Sequence, residues 1–218
     1  MALDVFQQLQ LMLSGVSTTL AISILSLFFG LIIGFPLAFI RVYERSLCFL
    51  VDAFEKVFRG VPELVLMLMF YFGLGLFVPF PFGNAFFASV FVLSLRSAAN
   101  QSQIFRSAIR GIGEEQMVAG RSLGLSRWQS TVRVMIPQVF IFSTPGLGSE
   151  YALLVKDSAY AFVLGVIDLM KVTDMIRAAT YDPVTPYLVS AFLYILLTFP
   201  IATYLDAWGS RRKKKLGL

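Results

Sequence analysis

Histidine is absent from this 218-residue chain, and cysteine occurs once, at Cys48. The first absence removes the commonest metal ligand and general base, and the second excludes an internal disulfide. Neither a G-x-x-x-x-G-K-[ST] phosphate loop nor a G-x-S-x-G nucleophile elbow occurs, so the usual motifs for nucleotide binding and serine hydrolysis are missing. If this protein uses ATP, a partner binds it. A membrane-bound enzyme would have no His, Cys or metal constellation with which to do chemistry. Charge is sparse as well: 14% of residues are charged against 57% apolar.

That balance places the chain in a bilayer. Val16 to Ile40 is 25 residues without a charge and Pro183 to Leu205 is 23, each longer than the roughly 20 needed to cross the hydrocarbon core. Leu64 to Leu95 is also uncharged, but VPFPFGN at 78 to 84 carries two prolines, a glycine and an asparagine, which splits it into two helices. A further span runs from Val134 through Pro145 and Gly146 toward Val155, giving five expected crossings. Arg41 and Arg45 follow the first span, five Arg lie between Arg106 and Arg133, and RRKKK stands at 211 to 215. These ends are expected to face the cytoplasm, which puts the N-terminus outside and the C-terminus, with a basic tail at 209–218, inside. The first segment lacks a basic n-region and an A-x-A-like cleavage site, so it does not read as a removable signal peptide. The net charge of +5 is then topological, and no soluble basic face is left for a nucleic acid.

Glu115 to Gln138, EQMVAGRSLGLSRWQSTVRVMIPQ, is polar and stands between apolar runs. Ala119 and Leu123, four apart, predict one face of a short helix, with Glu115, Gln116 and Arg121 pointing elsewhere. Gly124 can take the left-handed conformation that ends such a helix, and Ser126 with Gln129 has the spacing of a capping box for the next. Pro137 suits a helix entry. The segment reads as a helix-turn-helix docking loop, and an ordinary cytoplasmic loop is the alternative.

Several ordered motifs then resemble one family. GVSTTL at 15–20, RGVPELVLMLMFYFGL at 59–74, IFRSAIRGI at 104–112, AGRSLGLS at 119–126 and PGLGSEYALLVKDSAYAFVLGVIDL at 145–169 are similar to segments of the membrane permease subunit of bacterial polar amino-acid ABC importers. The resemblance covers nearly the whole chain, 1–218, as a single transmembrane domain. It implies an all-α membrane protein of the type I importer permease fold, five transmembrane helices with a cytoplasmic coupling helix, in the cytoplasmic (inner) membrane. The loop at 111–133 would lie in a groove of the ATPase, with Ala119, Gly120, Leu123, Gly124, Leu125 and Ser126 at its core. The partners implied are an ATPase dimer carrying ATP and Mg, a second permease subunit, identical or paralogous, and a solute-binding protein; no cofactor is expected in this chain. One departure is Val118, where the family usually has Glu; Glu114 and Glu115 could substitute.

The same resemblance points to the type for arginine, histidine, lysine and ornithine, with glutamine or glutamate importers as the alternative. Glu150 and Asp157 lie in or beside the fourth span, where an ionisable group is costly enough to suggest function. Seven residues is nearly two helical turns, so both carboxylates would share a face able to bind a cationic side chain. Asp157 could instead pair with Lys156 or Arg59 to neutralise buried charge. Ser158 follows in the pathway segment. Gln103 stands where many relatives have Glu and arginine-type relatives tend to have Gln. Arg96 could hold a substrate carboxylate, or pair with Asp52, Glu55 or Glu63; Arg59, just before Pro62, has the same two readings. Gly30 and Gly34 predict close helix packing. Asp168, Asp174 and Arg177 read as a solvated external face with a chance to touch a binding protein, and Tyr204 and Trp208 as interface anchors. An ion-coupled secondary transporter would use Asp157 or Glu150 as proton carrier, but no inverted repeat of broken helices is evident.

Overall fold

The computed structural model describes residues 4–113 and 115–215; Glu114 and the last three residues of the expected basic tail lie outside that range. Described residues form helices and short connections, with no strand among them. Helix α1 (Val5–Tyr43) starts at a capping box built by Asp4 and Gln7. Its buried residues include Met12, Gly15, Thr19, Ile22, Ser26, Gly30, Gly34 and Ala38, a three-and-four spacing that makes one face. That face is nearly all small. Small residues let two backbones approach closely in lipid, where apolar burial between helices gives little driving force.

From Ile22 onward the partner of that face is α5 (Ala85–Ile112), started by Asn84, whose side chain accepts from Phe86 and Phe87 N–H. A Cβ at Gly30 would stand 2.7 Å from the Ser97 hydroxyl, and one at Gly34 would stand 2.6 Å from the Ala98 carbonyl oxygen. Two polar links cross the same seam: Ser26 hydroxyl donates to Val90 O at 3.3 Å and Gln101 Nε2 to Leu27 O at 2.9 Å. The expected packing role of Gly30 and Gly34 holds.

Between these two helices, α2 (Cys48–Gly60) and α3 (Glu63–Leu68) meet at Val61-Pro62, and the two directions differ by 100°. The proline cannot continue α2, and the residue before it is pushed to extended backbone; Val61 has φ −97° and ψ 133°. The expected break at 78–84 is present as the short α4 (Pro79–Phe82). Then follow α6 (Glu115–Ser122), α7 (Arg127–Ser130), α8 (Ile136–Asp157), α9 (Leu169–Thr180) and α10 (Thr185–Lys215). Against α8 packs α10, with Gly148 on Ala202, Gly209 on Thr144, and Tyr151 Oη donating to Leu197 O at 3.2 Å.

By length and apolar composition α1 and α10 can cross a membrane, and the bent α2–α3 pair is a third candidate if it counts as one span. This is fewer than the five crossings expected. At 28 and 22 residues, α5 and α8 are roughly 42 and 33 Å long, enough for a core of about 30 Å. They fall short on composition because α5 carries Arg96, Asn100, Gln101, Gln103 and Arg106, and α8 carries Glu150, Lys156 and Asp157.

Candidate functional site

The polar residues of α5 converge on a band between α2–α3 and α8. Arg96, Asn100 and Gln103 are spaced four and three apart and share one face of α5. At one end of the band Arg96 ion-pairs with Glu63 at the start of α3 and, through Nη1, with Asp157 Oδ2 at 2.6 Å. One turn along, the Asn100 side chain accepts from Arg59 Nε at 3.0 Å and donates to Glu150 Oε2 at 3.1 Å. Beyond it, Glu55 of α2 accepts from Ser102 at 2.8 Å and Gln103 Nε2 at 2.9 Å, and lies 3.5 Å from Arg106 Nη2.

Most of the expected pathway residues fall on this band. Glu150 and Asp157 do share continuous α8, and Asp157 pairs with Arg96, not with Lys156 or Arg59 as its structural alternative had it. Of the three partners open to Arg96, Glu63 is one it takes; Asp52 is instead held by Arg41, at 2.6 and 3.1 Å. Gln103 is half-buried and turned toward Glu55. Ser158 is buried and donates to Val155 O at 2.8 Å, a bond back onto the end of α8. Arg96, Asp157, Glu150 and Gln103 therefore lie along one band, and Ser158 is beside it. Asn100, the link between Arg59 and Glu150, is a residue that sequence reasoning misses. Its signal is its position on the Arg96–Gln103 face.

The band has unequal charge. Among its buried and half-buried groups are four carboxylates, Glu55, Glu63, Glu150 and Asp157, and two guanidiniums, Arg96 and Arg106; Arg59 is at the exposed rim. Glu150 is 2% exposed and, among the described residues, has no cation at ion-pair distance; Asn100 and the Ser97 hydroxyl are its polar neighbours, and Oε1 has no partner within hydrogen-bond geometry. A buried carboxylate in that state is costly unless a ligand or water completes it.

Elsewhere, the helix-turn-helix at 115–130 forms as read. Gly124 has φ +82°. Leu125 N–H donates to Gly120 O at 3.1 Å and Gly124 N–H to Arg121 O at 2.9 Å, the pair of bonds that closes a Schellman corner. Ser126 and Gln129 cap α7 reciprocally, at 3.2 and 2.9 Å. The expected Ala119–Leu123 face is exposed: Leu123 N–H donates to Ala119 O at 3.2 Å in the turn that closes α6, Ala119 is exposed and Leu123 is 83% exposed. Gly120 is the residue that packs, where a Cβ would stand 2.8 Å from the Ser130 hydroxyl, so α6 and α7 touch through their smallest side chains. Val118, Leu123 and Trp128 are left exposed together on the hairpin. Glu115 begins α6; Glu114, its expected companion, lies outside the described residues.

The segment between α8 and α10 is less solvated than expected. Asp174 and Arg177 do form an outer pair at 2.9 Å. Asp168, however, is fully buried: Oδ1 caps α9 by accepting from Lys171 N–H at 2.8 Å, while Oδ2 has no partner. Its backbone rests on Gly15 of α1, and Leu169 N–H donates to Thr19 Oγ1 at 3.1 Å. Burial pushes the Asp168 carboxyl up to about 6, against the opposing pull of the backbone N–H groups.

Residues 26–214 match the family described as binding-protein-dependent transport system inner membrane component. An arginine ABC transporter permease protein of Haemophilus influenzae is 34% identical over 195 residues, covering 87% of this chain and 88% of its own. A histidine/lysine/arginine/ornithine transport system permease protein of Escherichia coli is 33% identical over 195 residues, covering 85% and 82%. Among solved structures, an amino acid ABC transporter with histidines aligns at TM-score 0.82 with 31% identity, over 97% of this chain and 100% of that one. The inward-facing MetNI methionine transporter shares the fold at TM-score 0.79 and 21% identity, over 93% and 96% of the two chains. The paired arginines and carboxylates inside a helical membrane bundle thus belong to a transport subunit, without catalytic chemistry of its own, and the chain is a member of the binding-protein-dependent inner membrane permease family.

Proposed function

We infer that this permease imports cationic amino acids of the arginine, lysine, ornithine and histidine type. The observation that carries the substrate class is Glu150: a buried carboxylate with a free Oε1 and no cation at ion-pair distance, in a band where carboxylates outnumber guanidiniums. An arriving guanidinium or ammonium group would supply the missing charge, and Asn100 would hold the carboxylate toward it. Arg96, tied to both Glu63 and Asp157, would be a support for α3 and α8 at one end of the band. The names of the arginine and histidine/lysine/arginine/ornithine relatives favour the same class.

The full chain would cross the bilayer five times, in α1, the α2–α3 region, α5, α8 and α10, with the N-terminus outside and the basic end of α10 inside. The hairpin α6–α7 would be the coupling helix, its exposed Leu123 and Trp128 seated in a groove of an ATPase subunit that binds ATP and Mg. Two ATPases would drive two permease subunits, identical or paralogous, loaded by a solute-binding protein. A second permease is favoured because one polar band on five helices leaves that band open on one side.

Binding and ATP-driven uptake of radiolabelled arginine and glutamine by the reconstituted importer test the substrate class. Glu150→Gln should weaken arginine binding by tenfold or more, about 1.4 kcal/mol, with uptake falling in step. Indifference of arginine binding to this change would remove the case for the carboxylate.

A further inference from the structure

A second cluster of arginines begins one turn beyond Arg106 at the end of α5 and continues on the hairpin. Arg110 in the last turn of α5, Arg121 in the last turn of α6 and Arg127 in the first turn of α7 line one cavity of about 570 Å³. Val42, Ile109, Met117, Val118 and Met135 supply an apolar lining, and Tyr43 closes one wall with its Oη 3.2 Å from Met135 Sδ. Among the described residues no carboxylate lies within ion-pair distance of any of the three guanidiniums. Of the carboxylates adjacent in sequence, Glu44 and Glu115 do not line the cavity, and Glu114 lies outside the described residues.

Arginines at helix C-termini have an ordinary use, since each terminus carries about half a negative charge. Arg110 and Arg121 stand at two such ends, which offsets about one unit of positive charge and leaves about two. The cavity therefore combines an excess of weakly hydrated guanidiniums, suited to bidentate contact with phosphate oxygens, with an apolar floor at the level where α1 and α5 end. Basic pockets at such a level, between membrane helices, recognise phospholipid head groups.

We propose that Arg110, Arg121 and Arg127 form a binding site for the phosphate of an anionic phospholipid, its acyl chains lying along the apolar floor between α1, α5 and the hairpin. The hairpin already touches the bundle through Met117, packed on the cluster that includes Ala38, Ile109 and Met135, and through Gln116, which accepts from Gln138 Nε2 at 3.5 Å; a lipid held here would add to its hold on the ends of α1 and α5. The site requires only that α1 and α5 cross the bilayer, and it does not rest on the substrate class or on the direction of transport.

The purified importer, permease together with its ATPase, is placed in phosphatidylcholine nanodiscs doped with phosphatidylglycerol, and bound phosphatidylglycerol is counted by native mass spectrometry after extraction. Retention should fall about fivefold for each guanidinium removed in the series Arg110→Gln, Arg121→Gln and Arg127→Gln. The three corresponding Arg→Lys changes should restore part of it. Excess inorganic phosphate should not displace the lipid. Equal retention by parent and triple variant overturns the site, and displacement by inorganic phosphate overturns its assignment to lipid. Loss of the ATPase from the triple variant with phosphatidylglycerol still bound assigns the arginines to the partner protein instead. Should the triple variant fail to assemble, Arg110→Gln, which lies outside the hairpin, decides alone: unchanged retention overturns the site and a several-fold loss supports it.

Discussion

Two buried carboxylates answer different questions at the scale of single residues. Glu150 has one oxygen held by Asn100 and one free, inside the band where a substrate would pass. Asp168 has one oxygen capping a helix and one free, in the connection between α8 and α10. Because its folded carboxyl is raised to about 6 from an ordinary 3.8, the folded state binds the proton more tightly than the unfolded one. The stability this adds is complete below about pH 3.8 and is lost as pH rises through 6. The purified permease should accordingly be more heat-resistant near pH 5 than near pH 7.5, by an amount on the order of 1–3 kcal/mol. Asp168→Asn, which keeps an acceptor for Lys171 N–H, should flatten that dependence. A pH profile unchanged by the substitution would show that Asp168 does not titrate in this range. A separate residue-scale test concerns Gly34, whose Cβ would meet the Ala98 carbonyl at 2.6 Å. Gly34→Leu should cost roughly 1–3 kcal/mol or force α1 from α5, seen as loss of monodisperse protein on size-exclusion chromatography.

At the scale of elements, the hairpin α6–α7 shows what can be read from sequence and what cannot. Gly124, Ser126 and Gln129 act within a few residues of one another, so turn and cap chemistry predicts the corner that forms. Ala119 and Leu123 stay one turn apart, joined by the Leu123 N–H to Ala119 O bond at 3.2 Å, and both are exposed; periodicity gives that spacing but not what the face meets. No short-range rule announces that Gly120 packs on Ser130; that contact exists only once the corner has brought the two helices together. A Cβ at position 124 would meet nothing within 4 Å, so substitution there acts through backbone strain alone. Gly124→Val should distort the corner at a cost of roughly 1–2 kcal/mol and reduce ATP-driven uptake several-fold while the amount of extractable permease is unchanged. Gly124→Asn, which tolerates positive φ, should lose less. Equal uptake by all three proteins would show that the corner's shape does not matter for transport. Charged partners are beyond local reading for the same reason: Arg96 and Asp157 are 61 residues apart, and only the assembled bundle chooses between Glu63, Glu55 and Asp52.

For the whole molecule, the long apolar runs of α1 and α10 are legible because their lipid-facing residues outnumber their packed ones. Helices α5 and α8 are harder to count as spans because polar groups inside them lower their hydropathy without shortening them. The family match covers 26–214 and so includes the polar band, the hairpin and most of α10 in one unit. Under the proposed function that unit is moved from outside itself: a partner consumes ATP, the exposed Leu123 and Trp128 edge of the hairpin receives the movement, and the band around Glu150 changes its access. The most direct test uses the single Cys48. In a Cys48→Ser background, Leu123→Cys is treated with a short thiol-to-amine linker in the assembled importer, with Phe77→Cys, 81% exposed before α4 at the opposite side of the membrane in the proposed orientation, as the comparison. A covalent permease–ATPase product is expected at position 123 and none at 77. A product at 77, or an unreacted position 123 in a complex that still transports, would refute the hairpin as the point where the motor grips.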